Sequence, residues 1–376
     1  MDLSLSEEQQ MLKDSVARFV QDNYSVERRR ALRDSEDGFD REFWQQFAEL
    51  GWLALPFAED DGGYGGSALD TMVLMEELGR GLVAEPYLVN IVLCGGLLAA
   101  ASASQRTELL PGLINGESQW AFAFAEPNAR YNLADISCSV QAEGDTLRLS
   151  GEKVAVLNGH CADYLLVSAR SSGEQRDAEG ISLFVVPADS AGISRKDYPL
   201  IDGSRGADIS FDGVELSSAN QIGEPGAALP LIEDVVAQTL VAMGAEALGA
   251  MDALLEQTVE YTRTREQFGQ PIGKFQALQH RMADMYLHCQ SLRSLLYYAA
   301  IVRVEQRADM LQAASALKVK LGEAGRFVSQ QAVQLHGGIG MTDELGISHY
   351  FKRLLLLNSL FGDSEHHLRR YVDLAS

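Results

Sequence analysis

Hydrophobic and polar positions change their period twice along the chain, and these changes divide it into three segments. In residues 1–119 the apolar positions recur at helical spacing, and the first helix follows a capping-box pair, Ser6 and Gln9. The same spacing predicts further helices over residues 41–50 and 69–79. We therefore expect an N-terminal helical domain.

The middle segment, residues 120–225, has the pattern of a β domain. Short alternating or apolar runs are separated by Gly, Pro, Asp and Ser, and one turn is expected at Gly144-Asp145. The runs predict strands over residues 146–150, 164–167, 181–186 and 209–211. Their spacing is typical of a β-barrel or sandwich.

The last segment, residues 226–376, returns to helical spacing. Three long helices are predicted, over residues 229–264, 275–306 and 310–336. They are apolar around much of their circumference, which favours a four-helix bundle that also packs against another subunit. The fold class expected is α+β, with a helical domain, a β domain and a helical bundle divided near residues 119/120 and 225/226.

The composition indicates a globular protein, and its net charge argues against polyanionic binding partners. The 376 residues are 46% hydrophobic, which is typical of a globular protein rather than a disordered one. The 53 acidic and 31 basic side chains give a net charge of −22. Nucleic acids and anionic membranes are bound through Lys and Arg, so we expect neither as a partner.

The cysteines and the N-terminus favour a cytoplasmic protein. The four cysteines are scattered without a C-x-x-C pair, and the adjacent His366-His367 point to different helix faces, so no metal site is expected. The sequence MDLSLSEEQQ lacks the basic and apolar regions of a signal peptide. The longest apolar run, residues 87–103, is too short for a membrane span.

Three stretches carry a resemblance to a known family. They are REQFGQPIGKFQ at residues 265–276, QLHGGIG at residues 334–340, and the glycine-rich segment 51–66. They resemble the acyl-CoA dehydrogenase flavoproteins, and the resemblance covers essentially the whole chain. Within the family, residues 125–131 and 360–368 are similar to the small subunit of pimeloyl-CoA dehydrogenase.

The resemblance implies FAD as cofactor, held partly by the neighbouring chain across a subunit interface. The cofactor-binding residues it implies are Arg265, Phe268, Gln276, Gln334, Gly337 and Gly338. A guanidinium suits a pyrophosphate, and adjacent glycines let a backbone approach it closely. Taken alone, the glycines favour a simple helix C-cap and Arg265 a solvated cation; the joint occurrence of the two motifs favours the flavin.

The family's reaction needs a carboxylate that this chain lacks at both expected places. The resemblance implies oxidation of an acyl-CoA thioester to its trans-2-enoyl form, with a carboxylate removing the α-proton. The two positions where the family places this base fall at Thr239 and Gly362, and its companion Arg falls near Leu240. Asp363, one residue further, is an alternative base, although its position before the terminal helix favours the role of an N-cap.

The residues that would contact the flavin ring in this chain also differ from the family's pattern. Ala125 and Leu157 replace threonines, Ala155 replaces a tryptophan, and Arg130-Tyr131 replace Gly-Ser. Each missing hydrogen-bond partner of a buried polar group costs about 1–3 kcal/mol. The pattern predicts a chain that completes a neighbour's FAD site while its own site is eroded.

Three functions therefore stay open at this stage. The first is a base-lacking subunit in a heterotetramer with a catalytic acyl-CoA dehydrogenase subunit. The second is a self-sufficient homo-oligomeric enzyme that uses Asp363, and the third is an acyl-CoA-binding module without flavin. By resemblance alone, the electron acceptor is electron-transferring flavoprotein and the substrate is an acyl-CoA, such as the dicarboxylyl thioester pimeloyl-CoA.

Overall fold

The computed structural model describes residues 4–144 and 146–375, which form two compact units. The helical unit comprises the described residues up to Leu32, Ser67–Ala84 and those from Leu240 onward. The sheet unit comprises Arg33–Gly66 and Glu85–Thr239. Asp145 of the predicted turn and the first three residues lie outside the described residues.

The helices are given in chain order. They are α1 Glu7–Asn23, α2 Val26–Arg33, α3 Arg41–Glu49, α4 Ala68–Arg80, α5 Gly96–Leu98, α6 Ala103–Ile114, α7 Leu229–Thr264, α8 Gln276–Val304, α9 Met310–His336, α10 Ile347–Ser359 and α11 Ser364–Ala375. A π-helix, Leu88–Gly95, precedes α5. None of the described helices combines the length and hydropathy needed to cross a bilayer.

Local sequence accounts for several of these boundaries. The capping box at α1 is present, since Ser6 and Gln9 each receive the other's main-chain N–H at 3.1 Å. The predicted helix 275–306 begins one residue later because the backbone of Phe275 is extended, with ψ 120°. The predicted spans of α7 and α9 agree with the structure, and α9 ends at Gly337, whose φ is +66°.

The strands of the sheet unit form one eight-stranded sheet. They are β1 Trp120–Ala123, β2 Ser139–Glu143, β3 Thr146–Leu157, β4 Tyr164–Arg170, β5 Ile181–Pro187, β6 Ile193–Pro199, β7 Arg205–Leu216 and β8 Gln221–Ile222. The order is β6-β7-β3-β2-β4-β5-β8, and β1 pairs in parallel with β4, with Trp120 beside Tyr164. A short hairpin, β9 Glu266–Gln267 and β10 Gln270–Pro271, follows α7.

The predicted α+β class is confirmed, with helical, sheet and helical segments in that order. The predicted boundaries at 119/120 and 225/226 stay predictions. Inside the helical unit, Arg293 of α8 pairs with two acids, Glu76 of α4 at 3.0 Å and Asp252 of α7. Glu76 is 8% exposed, so this charge network lies within the bundle rather than on its surface.

Candidate functional site

The ends of α7 and α9 meet in the helical unit. The ring of Tyr261 stacks on that of His336 with centroids 4.4 Å apart, and the Tyr261 hydroxyl donates to the His336 main-chain oxygen at 3.4 Å. Tyr261 lies one helical turn before Arg265, and His336 directly precedes Gly337. The structure thus brings the two C-terminal motifs to one end of this unit. We call residues 265–276 and 334–341 the motif edge.

All six residues predicted to bind the cofactor are exposed on the motif edge. Phe268, in the turn between β9 and β10, is 92% exposed and has a φ of +53°. The main chain of Arg265 is fixed, because its N–H donates to Tyr261 and its carbonyl accepts from Ile272, both at 2.8 Å. Its guanidinium has no hydrogen-bond or ion-pair partner among the described residues. A fixed backbone with a free cation suits binding of an anion.

The glycines of the motif edge leave their backbone accessible. A Cβ atom placed on Gly337 or Gly338 would meet nothing within 4 Å, whereas one on Gly340 would lie 2.9 Å from the Cβ of His336. The space beside the first two glycines is therefore open to a ligand, and a side chain there would occupy it. Together with the unpaired guanidinium, this arrangement fits the pyrophosphate of FAD.

The positions of the sheet unit that the family resemblance places against the flavin ring offer the ring few polar side chains. Ala155 lies in a bulge of β3 with φ +52°, and its N–H is taken by Asp208 at 3.1 Å and by the Tyr198 hydroxyl at 3.2 Å. The backbone is thus held in a strained conformation with only a methyl group to present. Ala125 and Leu157 offer no hydrogen-bonding side chain either. None of these three side chains can pair the polar edge of an isoalloxazine.

Glu126, beside this face, is a structural carboxylate. It accepts hydrogen bonds from Lys153 Nζ at 2.8 Å and from the main-chain N–H groups of Ser137 and Cys138 at 2.8 and 3.0 Å. Burial alone would raise its pKa, but the charge and hydrogen bond of Lys153 and the Ser137 bonds outweigh burial, so the pKa of Glu126 is lowered. A carboxylate with its lone pairs engaged in this way holds the loop after β1 and is not available as a base.

Neither of the two expected base positions presents a carboxylate. Thr239 in α7 is fully buried, and its hydroxyl donates to the Val235 main-chain oxygen at 2.8 Å. Gly362 has a φ of +114°, and a Cβ atom there would lie 2.6 Å from His366 Cδ2 and 2.7 Å from His367 Nε2. Position 362 therefore has neither the backbone conformation nor the space for a side chain.

A lysine of α9 supports the turn at residues 360–363. Lys318, fully buried in that helix, donates from Nζ to three main-chain oxygens, those of Leu357, Asn358 and Leu360. These are oxygens at the C-terminal end of α10, where a cation is favoured. Burial lowers the pKa of Lys318 to about 7. Nothing in the local sequence indicates this contact, because a lysine within a helix is usually solvated.

His367 holds the same turn from α11. Its Nε2 donates to the Phe361 main-chain oxygen at 2.9 Å, and its Nδ1 lies 3.3 Å from the Ser315 hydroxyl. Burial lowers the pKa of His367 to about 3, so the ring is neutral at physiological pH. Both ring nitrogens are engaged within the protein, and neither is free for a metal ion.

Asp363 acts as the N-cap of α11. Its Oδ1 accepts the His366 main-chain N–H at 2.9 Å, and its main-chain oxygen accepts the His367 N–H at 3.0 Å. An N-cap carboxylate satisfies a free amide at the start of a helix and is favoured there by the helix dipole. This is the capping role that the sequence left open beside the catalytic one.

The sequence matches three consecutive family profiles. "Acyl-CoA dehydrogenase, N-terminal domain" matches residues 6–117, "Acyl-CoA dehydrogenase, middle domain" residues 121–214, and "Acyl-CoA dehydrogenase, C-terminal domain" residues 231–373. The matches follow the order of the helical, sheet and helical segments of the chain.

Individual relatives align over nearly the whole chain. Mitochondrial isovaleryl-CoA dehydrogenase of Pongo abelii is 31% identical over 376 residues, covering 98% of this chain and 88% of that protein. The structure of butyryl-CoA dehydrogenase from Megasphaera elsdenii superposes with a TM-score of 0.92 at 25% identity, covering all of both chains. A chain of the ChsE4-ChsE5 complex from Mycobacterium tuberculosis superposes with a TM-score of 0.89 at 28% identity, covering 99% of this chain and 98% of that one.

Proposed function

Since the chain belongs to the acyl-CoA dehydrogenase family, we propose that it is the base-lacking subunit of a heteromeric acyl-CoA dehydrogenase. Members of this family are FAD-binding oxidoreductases. In the proposed enzyme, this chain completes the FAD site of a catalytic partner chain. The reaction is the α,β-dehydrogenation of an acyl-CoA in CoA-thioester degradation.

The closed backbone at Gly362 is the observation that carries this proposal. Removal of an α-proton needs a carboxylate within hydrogen-bond reach of it. At position 362 the rings of His366 and His367 occupy the place of a side chain, and Thr239 supplies only a hydroxyl bonded to its own helix. In the proposed enzyme, the base therefore comes from another chain.

The motif edge supports the second half of the proposal. Arg265 would pair with the FAD pyrophosphate, and the main chain at Gly337 and Gly338 would lie against it, with Gln334 as a further hydrogen-bonding group. When bound, FAD supplies the hydride acceptor. Because this chain's own ring face lacks hydrogen-bonding side chains at Ala125, Ala155 and Leu157, the FAD served by the motif edge is best assigned to the partner.

The proposed assembly is a heterotetramer with a catalytic acyl-CoA dehydrogenase chain. A solved neighbour of this chain is part of the ChsE4-ChsE5 complex, which supports a two-chain assembly over a homo-oligomer. We propose electron-transferring flavoprotein as the electron acceptor. The resemblance to the small subunit of pimeloyl-CoA dehydrogenase favours a dicarboxylyl-CoA substrate.

Purification of the chain alone and together with a candidate partner tests the proposal. We expect the chain alone to hold little flavin and to show no acyl-CoA-dependent bleaching of flavin absorbance. The complex should hold FAD and be reduced by acyl-CoA. A yellow, fully active protein from this chain alone would overturn the proposal.

The alternative is a self-sufficient homo-oligomer with Asp363 as the base. Its carboxylate lies next to position 362, but it already caps α11. Asp363→Asn is a clean test, because asparagine is as good an N-cap as aspartate. Unchanged turnover of the complex supports the partner-supplied base, whereas loss of turnover with flavin retained assigns the base to Asp363.

A further inference from the structure

Three side chains of metal-ligating type, none of which has been given a role above, come together in the sheet unit. Asp37 lies in the bend after α2, and His160 and Cys161 lie in the turn between β3 and β4, 123 residues later for His160. One carboxylate oxygen, one imidazole nitrogen and the Sγ atom all lie within 4.8 Å of one another. We propose that Asp37, His160 and Cys161 bind one Zn²⁺ ion per chain.

The donor set selects the metal. Zn²⁺ is bound in proteins by carboxylate, imidazole and thiolate, and hard ions such as Mg²⁺ and Ca²⁺ prefer oxygen alone. Three protein ligands leave one position of a tetrahedral site for water. All three side chains are half-buried, which leaves a path for the ion and for that water.

One ring nitrogen of His160 is hydrogen-bonded to a main-chain oxygen, and the other is left without a partner among the described residues. Its Nε2 lies 3.0 Å from the Asp37 main-chain oxygen, which can only accept, so Nε2 carries the proton. The lone pair is then on Nδ1, a buried atom with no hydrogen-bond partner among the described residues. A ligating histidine commonly donates its other N–H to a carbonyl, which fixes the tautomer.

Cys161 would lose a proton on binding. Its thiol lies 3.2 Å from Asn158 Oδ1, and burial raises its pKa to about 12, so it is protonated in the metal-free protein. Binding therefore exchanges the proton for the ion: the thiol and Zn²⁺ give a zinc thiolate and one H⁺ released to water. Because a proton is released, affinity for Zn²⁺ rises with pH.

Arg41 would compete with a metal ion for the Asp37 carboxylate. The Arg41 guanidinium donates two hydrogen bonds to the Asp37 carboxylate, from Nε to Oδ2 at 2.6 Å and from Nη2 to Oδ1 at 3.1 Å. Its side chain is 57% exposed, so it can turn into solvent when the ion enters. Arg195 lies behind the turn and donates to main-chain oxygens, among them that of His160 at 3.4 Å, without taking a ligand atom. With Asp37 and the Cys161 thiolate, Zn²⁺ makes a neutral centre.

Calorimetric titration of the metal-stripped, full-length chain with ZnCl₂ tests the proposal, with metal analysis of the dialysed product. We expect one Zn²⁺ per chain, and roughly 100-fold weaker binding in His160→Gln, Cys161→Ser and Asp37→Asn. His280→Gln removes an exposed histidine of α8 and should leave binding unchanged. Arg41→Gln frees the carboxylate and should tighten binding about tenfold, which a merely structural cluster would not do.

Cobalt separates the site from adventitious binding. A thiolate ligand gives Co²⁺ an intense near-ultraviolet charge-transfer band, which Cys161→Ser should abolish while His280→Gln retains it. Equal Zn²⁺ affinity in the wild type and in all three ligand variants, or a Co²⁺ complex without the band, would overturn the proposal. Should Cys161→Ser fail to fold, Asp37→Asn and Arg41→Gln change affinity in opposite directions and decide the question.

Discussion

Replacement of Gly362 by alanine tests whether position 362 is closed to any side chain. The added methyl group would lie 2.6 Å from His366 Cδ2, and 2.7 and 2.9 Å from Nε2 and Cδ2 of His367. Carbon atoms in contact are normally about 3.5–4.0 Å apart, so something must move. The ring of His367 cannot move freely, since it is 3% exposed and engaged at both nitrogens.

Two effects lower the free energy of unfolding of Gly362→Ala. A residue with Cβ at positive φ loses about 1–2 kcal/mol relative to glycine. Forcing an extra methyl group into a packed site costs a further 1–3 kcal/mol or so. We therefore expect Gly362→Ala to lower the free energy of unfolding by about 2–5 kcal/mol.

A guanidinium titration of the full chain measures the loss, with Gly223→Ala as the matched control. Gly223 also has a positive φ, +70°, but a Cβ atom there would meet nothing within 4 Å, so only the conformational cost applies. The difference between the two variants isolates the clash at position 362. If both variants are equally stable, the space is not closed and the argument against a base at this position fails.

Three further predictions concern the charged groups. Between pH 6.5 and 3 the unfolded chain binds a proton at His367 that the folded chain does not. As the pH is lowered through this range, the free energy of unfolding of the wild type should therefore fall by a few kcal/mol more than that of His367→Gln, measured by urea unfolding at each pH. Lys153→Met leaves the buried Glu126 carboxylate without its counter-charge and should lower the free energy of unfolding by about 3–5 kcal/mol. The double variant with Glu126→Gln should lose less, and an equal loss would contradict a charge effect. Arg265→Ala should weaken FAD retention by the complex about tenfold or more, read from flavin absorbance after dialysis, with unfolding of this chain unchanged because the side chain is exposed.

Sequence periodicity was sufficient for the long helices of the fold but not for all of its elements. The predictions for α7 and α9 agree with the structure because each keeps one apolar period over many turns and α9 ends at a glycine. The π-helix Leu88–Gly95 was missed, since all of its residues are buried and a run that is apolar except for one asparagine shows no period. Asn90 within it, fully buried, pairs with Gln119, a contact that local sequence could not indicate.

In the candidate site, too, features contiguous in sequence could be predicted and contacts between distant residues could not. Residues of the motif edge were found because each motif is contiguous in sequence, and their exposure agrees with a binding role that stays a proposal. The contact of Lys318 with the end of α10 joins residues some forty positions apart, and Asp37 meets His160 across a still longer interval. Such contacts depend on how helices and strands pack, and no spacing rule reaches them.

The two base positions are lost in physically different ways. Thr239 lies in regular helix, so the backbone would accept a glutamate there, and the obstacle is the free energy of burying a charge at a fully buried position. Gly362 is closed by conformation, since φ is +114° and two histidine rings fill the Cβ direction. A carboxylate at 362 would require changes at Gly362, His366 and His367 together, and His367 also holds Phe361. Because the turn depends on the very rings that exclude a side chain, stability of this chain and a base at 362 oppose each other.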